Sequence, residues 1–121
     1  MNCAAKSLFC LLVAVLASGC AHQGPKPLYY WGSYQNQMYG HFKGEKGPDE
    51  QIQALEADAE KASSEGLTLP PGYRAHLGML YGETGRTDKM ASNLQAEKER
   101  FPESAGFMDF LLKHFKSEEH R

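Results

Sequence analysis

Three cysteines and five histidines are the groups of this chain best suited to act as nucleophiles, general bases or metal ligands. Their spacing narrows the choice. Cys3 and Cys10 lie in an amino-terminal apolar stretch and Cys20 closes it, so no cysteine follows residue 20 to serve as a second thiolate or to form a disulfide. His41, His76 and His114 fall in separate predicted helices with no motif joining them to a nucleophile, and His22 and His120 sit near the two ends. His114 and Glu118, four residues apart, would give a metal two ligands where a catalytic zinc site takes three. No Gly-x-Ser-x-Gly elbow surrounds any serine. Gly82-Glu83-Thr84-Gly85-Arg86 reads as a helix turn and not as a phosphate loop. The expectation is a protein that is not an enzyme and holds no cofactor or metal.

Cys20 itself is placed for modification. Lys6 precedes Leu8 to Ala17, an unbroken apolar run of ten residues, and Leu16-Ala17-Ser18-Gly19-Cys20 ends in small residues before the thiol. A spanning helix needs about 20 apolar residues, so the run fits a secretory h-region instead. The segment resembles a bacterial lipoprotein export signal, with Ala17 where that signal usually carries leucine and Leu16 one place further out. The resemblance implies cleavage after Gly19 and acylation of the Cys20 thiolate. Ala21 in the next position implies sorting to the periplasmic face of the outer membrane. Residues 1–19 are then a leader, and 20–28 a lipidated cysteine and tether in which Pro25 and Pro27 favour extended backbone.

Removing the leader takes away Lys6 and leaves twelve basic against fifteen acidic side chains, a balance of about −3. Nucleic-acid binding wants a basic patch or stripe, and this composition excludes that class. It also lacks the polybasic cluster that recognises lipid headgroups. One domain is the expected count.

The elements that must position any functional side chain read as helices. Leu28-Tyr29-Tyr30-Trp31-Gly32-Ser33-Tyr34 is the densest aromatic cluster. Ser33 is the expected N-cap of a helix with Tyr34, Met38 and Phe42 on one face, stopping near Gly44. Pro48, Asp49 and Glu50 open a second helix, which Ile52, Leu55, Ala59 and Ala62 stripe and Gly66 ends. Leu67 to Gly72 is a linker, because consecutive prolines remove donors and fix φ. A last helix, from about Glu103 to Lys116, places Phe107, Phe110, Leu111 and Phe115 on one face, and 117–121 is a polar tail.

Between these lies the most specific motif. Leu77, Gly78, Tyr81, Gly85, Leu94 and Pro102 stand in the register of one tetratricopeptide repeat, which this stretch resembles. In that repeat a Leu-Gly pair lets two helices approach, a tyrosine fills the groove, a glycine turns and a proline closes the unit. Met90 and Glu97 depart from it, since small alanines are usual at both places, and so does Arg74, where an aromatic is common. The fold expected is all-α, with about five helices in short tetratricopeptide-like hairpins over residues 29–116. Roughly three repeats are typically needed for a stable stack. Either the Tyr29 to Tyr34 segment folds back over the core, or an apolar face is left for a partner or a second copy.

The aromatic cluster admits two readings, core or contact with a partner or glycan. In the second, Trp31 packs while Tyr29 and Tyr30 are more exposed; Tyr34 and Tyr81 complete the candidate partner-binding set. The lipobox, the Leu-Tyr-Tyr-Trp-Gly-Ser-Tyr opening, the Leu-Pro-Pro-Gly-Tyr link and the Phe-Pro-Glu-Ser-Ala-Gly-Phe-Met-Asp-Phe-Leu-Leu ending together resemble a family of small proteobacterial lipoproteins of unknown function. By gene neighbourhood its members look like companions of a curli-type secretion-pore lipoprotein. That implies adaptor or assembly work on an envelope complex. The alternative is a structural lipoprotein that sets Tyr29, Tyr30 and Trp31 against the sugar rings of peptidoglycan.

Overall fold

The computed structural model describes residues 24–119; the expected leader and Cys20 lie outside the described residues. Five helices follow one another: α1 (Tyr34–Lys43), α2 (Pro48–Ser64), α3 (Tyr73–Glu83), α4 (Thr87–Arg100) and, after a 3₁₀ turn at Pro102–Ser104, α5 (Ala105–Glu119). The described residues contain no strand. The fold class is all-α, as the periodicity predicts. α5 continues through Glu119, into the segment that its polarity marks as a tail.

Glycine sets three of the helix ends. Gly44, Gly66 and Gly85 adopt φ values of 66°, 66° and 74°, a left-handed conformation that costs glycine little. After each, the next amide reaches back five residues: Glu45 N–H to the Gly40 carbonyl, Leu67 N–H to Ala62 and Arg86 N–H to Tyr81, at 2.8–2.9 Å. These bonds satisfy carbonyls that a helix end otherwise orphans.

The core is assembled from the inward stripes. Leu55 of α2, Tyr73 and Leu80 of α3 and Leu94 of α4 are fully enclosed, joined by Ile52, Leu77, Tyr81, Met90 and Met108. Enclosing each such aliphatic side chain contributes roughly 1.5–3 kcal/mol. α3 and α4 form the tightest pair, and Gly78 is the reason. A Cβ there would lie 3.2 Å from the Met90 carbonyl oxygen and 3.3 Å from Leu94, so the missing side chain is what allows the approach.

Two predicted faces are corrected. Phe42 does not join Tyr34 and Met38 against the core; it is 79% exposed, because α1 ends at Lys43 and the chain turns away at Gly44. On α5 the packed stripe is Met108, Leu111, Leu112 and Phe115, spaced i, i+3, i+4, i+7. Phe107 and Phe110 start one residue earlier, about 100° round the helix, and point outward.

Candidate functional site

The aromatic segment before α1 folds back as a strap, and Asp58 of α2 is its anchor. One oxygen of the Asp58 carboxylate accepts from both the backbone N–H and the hydroxyl of Ser33, at 2.6 Å each, and the other accepts from the Tyr30 hydroxyl at 3.5 Å. Ser33 stands at the N-cap position of α1, but its hydroxyl donates to Asp58 and accepts from the Gln37 side-chain amide at 3.2 Å, and caps no backbone amide of the helix. Gly32 is the residue that fits beneath, since a Cβ there would come within 2.5 Å of the same carboxylate. The Tyr30 N–H donates to the Thr68 carbonyl at 2.8 Å, tying the strap to the α2–α3 linker as well.

This placement reorders the aromatic residues. Tyr29 and Tyr30 are half-buried, Tyr29 with its ring edge-on to Phe101 at 6.2 Å, whereas Trp31 is 44% exposed. The expectation that Trp31 packs and the two tyrosines are more exposed is therefore reversed: Asp58 and Phe101 draw the tyrosines inward and leave the indole over the outer side of Tyr34 at 6.3 Å. Tyr34 is core, its ring 5.0 Å from that of Tyr73, and offers no surface to a partner. Burial, with the nearby Glu97 carboxylate, pushes the Tyr34 hydroxyl above its usual range.

Tyr81 is also enclosed, in a different way. Its hydroxyl donates a hydrogen bond to Glu56, which also receives Lys89 Nζ at 3.3 Å. The Arg86 guanidinium and the Lys89 ammonium lie 5.1 and 5.0 Å from the ring centroid, so two cations cover the ring. The Tyr81 hydrogen bond holds the Glu56 carboxyl below its usual range, while burial and Glu56 raise Tyr81. Tyr81, Glu56 and Lys89 line an open cleft of about 480 Å³, to which α2 also contributes Glu60, α3 Arg74 and Leu77, and α4 Ser92. As a partner-binding residue Tyr81 is thus a wall of the cleft and not an exposed contact.

Two buried polar clusters lack any sequence motif. Gln51, buried in α2, joins two histidines from different helices: its Oε1 lies 3.3 Å from His76 Nε2, its Nε2 lies 3.5 Å from His41 Nδ1, and it donates to the Lys46 carbonyl at 3.0 Å. Burial, helped by His41, lowers the His76 imidazole to about 4. The other cluster is Glu97, whose carboxylate accepts the Gly72 and Arg74 amides at the amino end of α3. The departure of residue 97 from the repeat pattern is the one sequence signal pointing to it.

Apolar surface remains at the last helix. Phe107 and Phe110 stack with their planes 14° apart, and His114 stacks on Phe110 at 5.9 Å, forming a ridge on the side of α5 away from the core. Among the described residues no three His, Cys, Asp or Glu side chains cluster to hold a metal, and no helix is long and apolar enough to cross a membrane. Comparison with curated proteins and with solved structures finds no match in either. A family model described as a domain of unknown function (DUF4810) does match, over residues 28–111, from the first residue of the aromatic strap to the middle of α5. The match covers well over half of the chain, and the chain belongs to that family.

Proposed function

We propose that this protein is a non-enzymatic adaptor or assembly factor of the bacterial envelope: a lipoprotein acylated at Cys20, held at the periplasmic face of the outer membrane, whose helical domain binds another envelope protein. The observation that carries the reading is the Phe107–Phe110 ridge. One side of α5 packs on the core, yet its neighbouring side exposes two stacked phenylalanines. Contiguous exposed apolar surface is a mark of interaction sites. The lipobox-like Leu16 to Cys20 segment supports the anchor. Resemblance to companions of a curli-type pore lipoprotein supports a secretion assembly as the complex served.

The test is recovery of partners by cross-linking in cells that express a carboxy-terminally tagged chain, beside Cys20→Ser and the double variant Phe107→Glu/Phe110→Glu. The adaptor reading expects one or two envelope proteins that co-purify with the lipidated chain and are lost from both variants. Recovery unchanged by the double variant would remove the ridge from the account.

A second reading rests on Trp31. Its exposed indole, with the Tyr29 ring edge-on at 6.4 Å, forms a small aromatic ledge suited to a sugar ring. Sedimentation with purified sacculi separates the two readings, because an adaptor stays in the supernatant.

A further inference from the structure

Resting on the adaptor reading, we propose that the cleft between α2, α3 and α4 receives a short segment of the partner protein that carries an acidic and a basic side chain close together, the carboxylate going to Arg74 and the cation to Glu60.

The argument is one of which charges are already used. Four charged side chains line the cleft: Glu56, Glu60, Arg74 and Lys89. Glu56 and Lys89 satisfy each other and the Tyr81 hydroxyl. Arg86, beside them, is committed to Asp49 and to the Thr84 hydroxyl. The Arg74 guanidinium and the Glu60 carboxylate, by contrast, make no hydrogen bond or ion pair among the described residues, although they have opposite charge and line the same cleft. Arg74 is nonetheless well placed. Its own backbone N–H is held by Glu97 at 3.2 Å, which fixes the root of the side chain in the first turn of α3.

Charge complementarity then selects the occupant. A guanidinium offers a planar fork that matches a carboxylate with two parallel hydrogen bonds. A purely acidic segment would meet Glu60 and a purely basic one Arg74, so like-charge contact rejects both. Leu77 and Ala59 add apolar lining to the same cleft. A volume of about 480 Å³ lies within the range of ligand-sized clefts, enough for a few residues and too little for a helix face.

The experiment places a photoreactive phenylalanine analogue at Ser92, on the cleft wall, and separately at Phe107, on the α5 ridge, in the full-length chain in cells. Cross-linked peptides are then sequenced by mass spectrometry. The proposal expects Ser92 to label one partner segment with an acidic and a basic residue within about four positions of each other. The yield should fall about tenfold with Arg74→Glu or Glu60→Lys, the order expected for losing a close charge pair, and persist with Arg74→Lys. Neither side chain makes an internal bond, so the melting temperatures of these variants should match the parent; a variant that unfolds is replaced by Arg74→Gln or Glu60→Gln. Labelling of a segment without both charges, labelling of glycan, or a yield indifferent to the reversals overturns the proposal. Cross-links at Phe107 but none at Ser92 overturn it while leaving the adaptor standing, and none at either position overturns both.

Discussion

The carboxylate of Glu97, deep in α4, caps the amino end of α3 at Gly72. Its Oε1 accepts the Gly72 N–H at 2.6 Å and its Oε2 the Arg74 N–H at 3.2 Å, with the side chain only 1% exposed. The arrangement follows from the residue at the cap position. Gly72 adopts φ 85° with the Tyr34 hydroxyl packed 3.2 Å from where a Cβ would stand, and glycine has no side chain with which to cap its own helix. A neighbouring helix therefore supplies the acceptor, and its negative charge also suits the positive end of the α3 dipole.

Replacing Glu97 with alanine leaves two amides without an acceptor, at a cost of about 2–3 kcal/mol. Glu97→Gln keeps one acceptor and should lose about half as much. Urea denaturation of the two variants beside the parent measures the difference; a Glu97→Gln variant as stable as the parent would show that packing, and not capping, is what residue 97 provides.

Asp58→Ala should release the strap while leaving the helices folded. Two close hydrogen bonds from Ser33 and one longer bond from Tyr30 disappear together, for about 1.5–3 kcal/mol where an acceptor carries charge. Trp31 is the sole tryptophan, so its emission reports directly on the strap. The expected outcome is a red shift and faster acrylamide quenching with the helical circular dichroism retained.

His76 gives the fold a definite acid response. Its imidazole titrates at about 4 when folded against an ordinary value of 6.5, so between these values the unfolded chain binds the proton more readily. The stability that neutral His76 provides is present above pH 6.5 and is lost as pH falls through about 4, in total about 3 kcal/mol. In His76→Gln that part of the pH dependence should vanish, and the slope of unfolding free energy between pH 6.5 and 4 should flatten relative to the parent.

The two best-defined glycines should respond differently. Gly78→Val drives methyl groups into the Met90 carbonyl and Leu94, for about 2–3 kcal/mol. Gly85→Ala meets nothing within 4 Å, and its cost of about 1 kcal/mol comes from φ 74° alone. Thermal melts of both variants test the contrast.

The helices were legible because proline, glycine and apolar spacing speak locally. Pro48 opens α2, Gly44, Gly66 and Gly85 stand at helix ends, and Leu77-Gly78 marks the close approach. What was not legible depends on contacts distant in sequence. Phe42, Phe107 and Phe110 are apolar at helical spacing, yet a helix with two adjoining apolar stripes does not say which one is buried. Trp31 is the largest ring in its cluster and lies outward only because Asp58, 27 residues later, holds the segment by Ser33 and Tyr30. Gln51 unites His41 and His76 across three helices, which no local pattern records. The cleft was foreshadowed by Tyr81 alone; Arg74 stood out only as a departure from the repeat.

The strap also decides how the domain bears a load. A pull on the amino end does not peel α1 away from Tyr34 onward. It is delivered at Asp58, within α2, and at Thr68, whose carbonyl holds Tyr30 and whose hydroxyl accepts from Arg100 at the end of α4. Force thus enters beside the core and is shared by several bonds that must break together, the geometry of a cleat and not of a zipper.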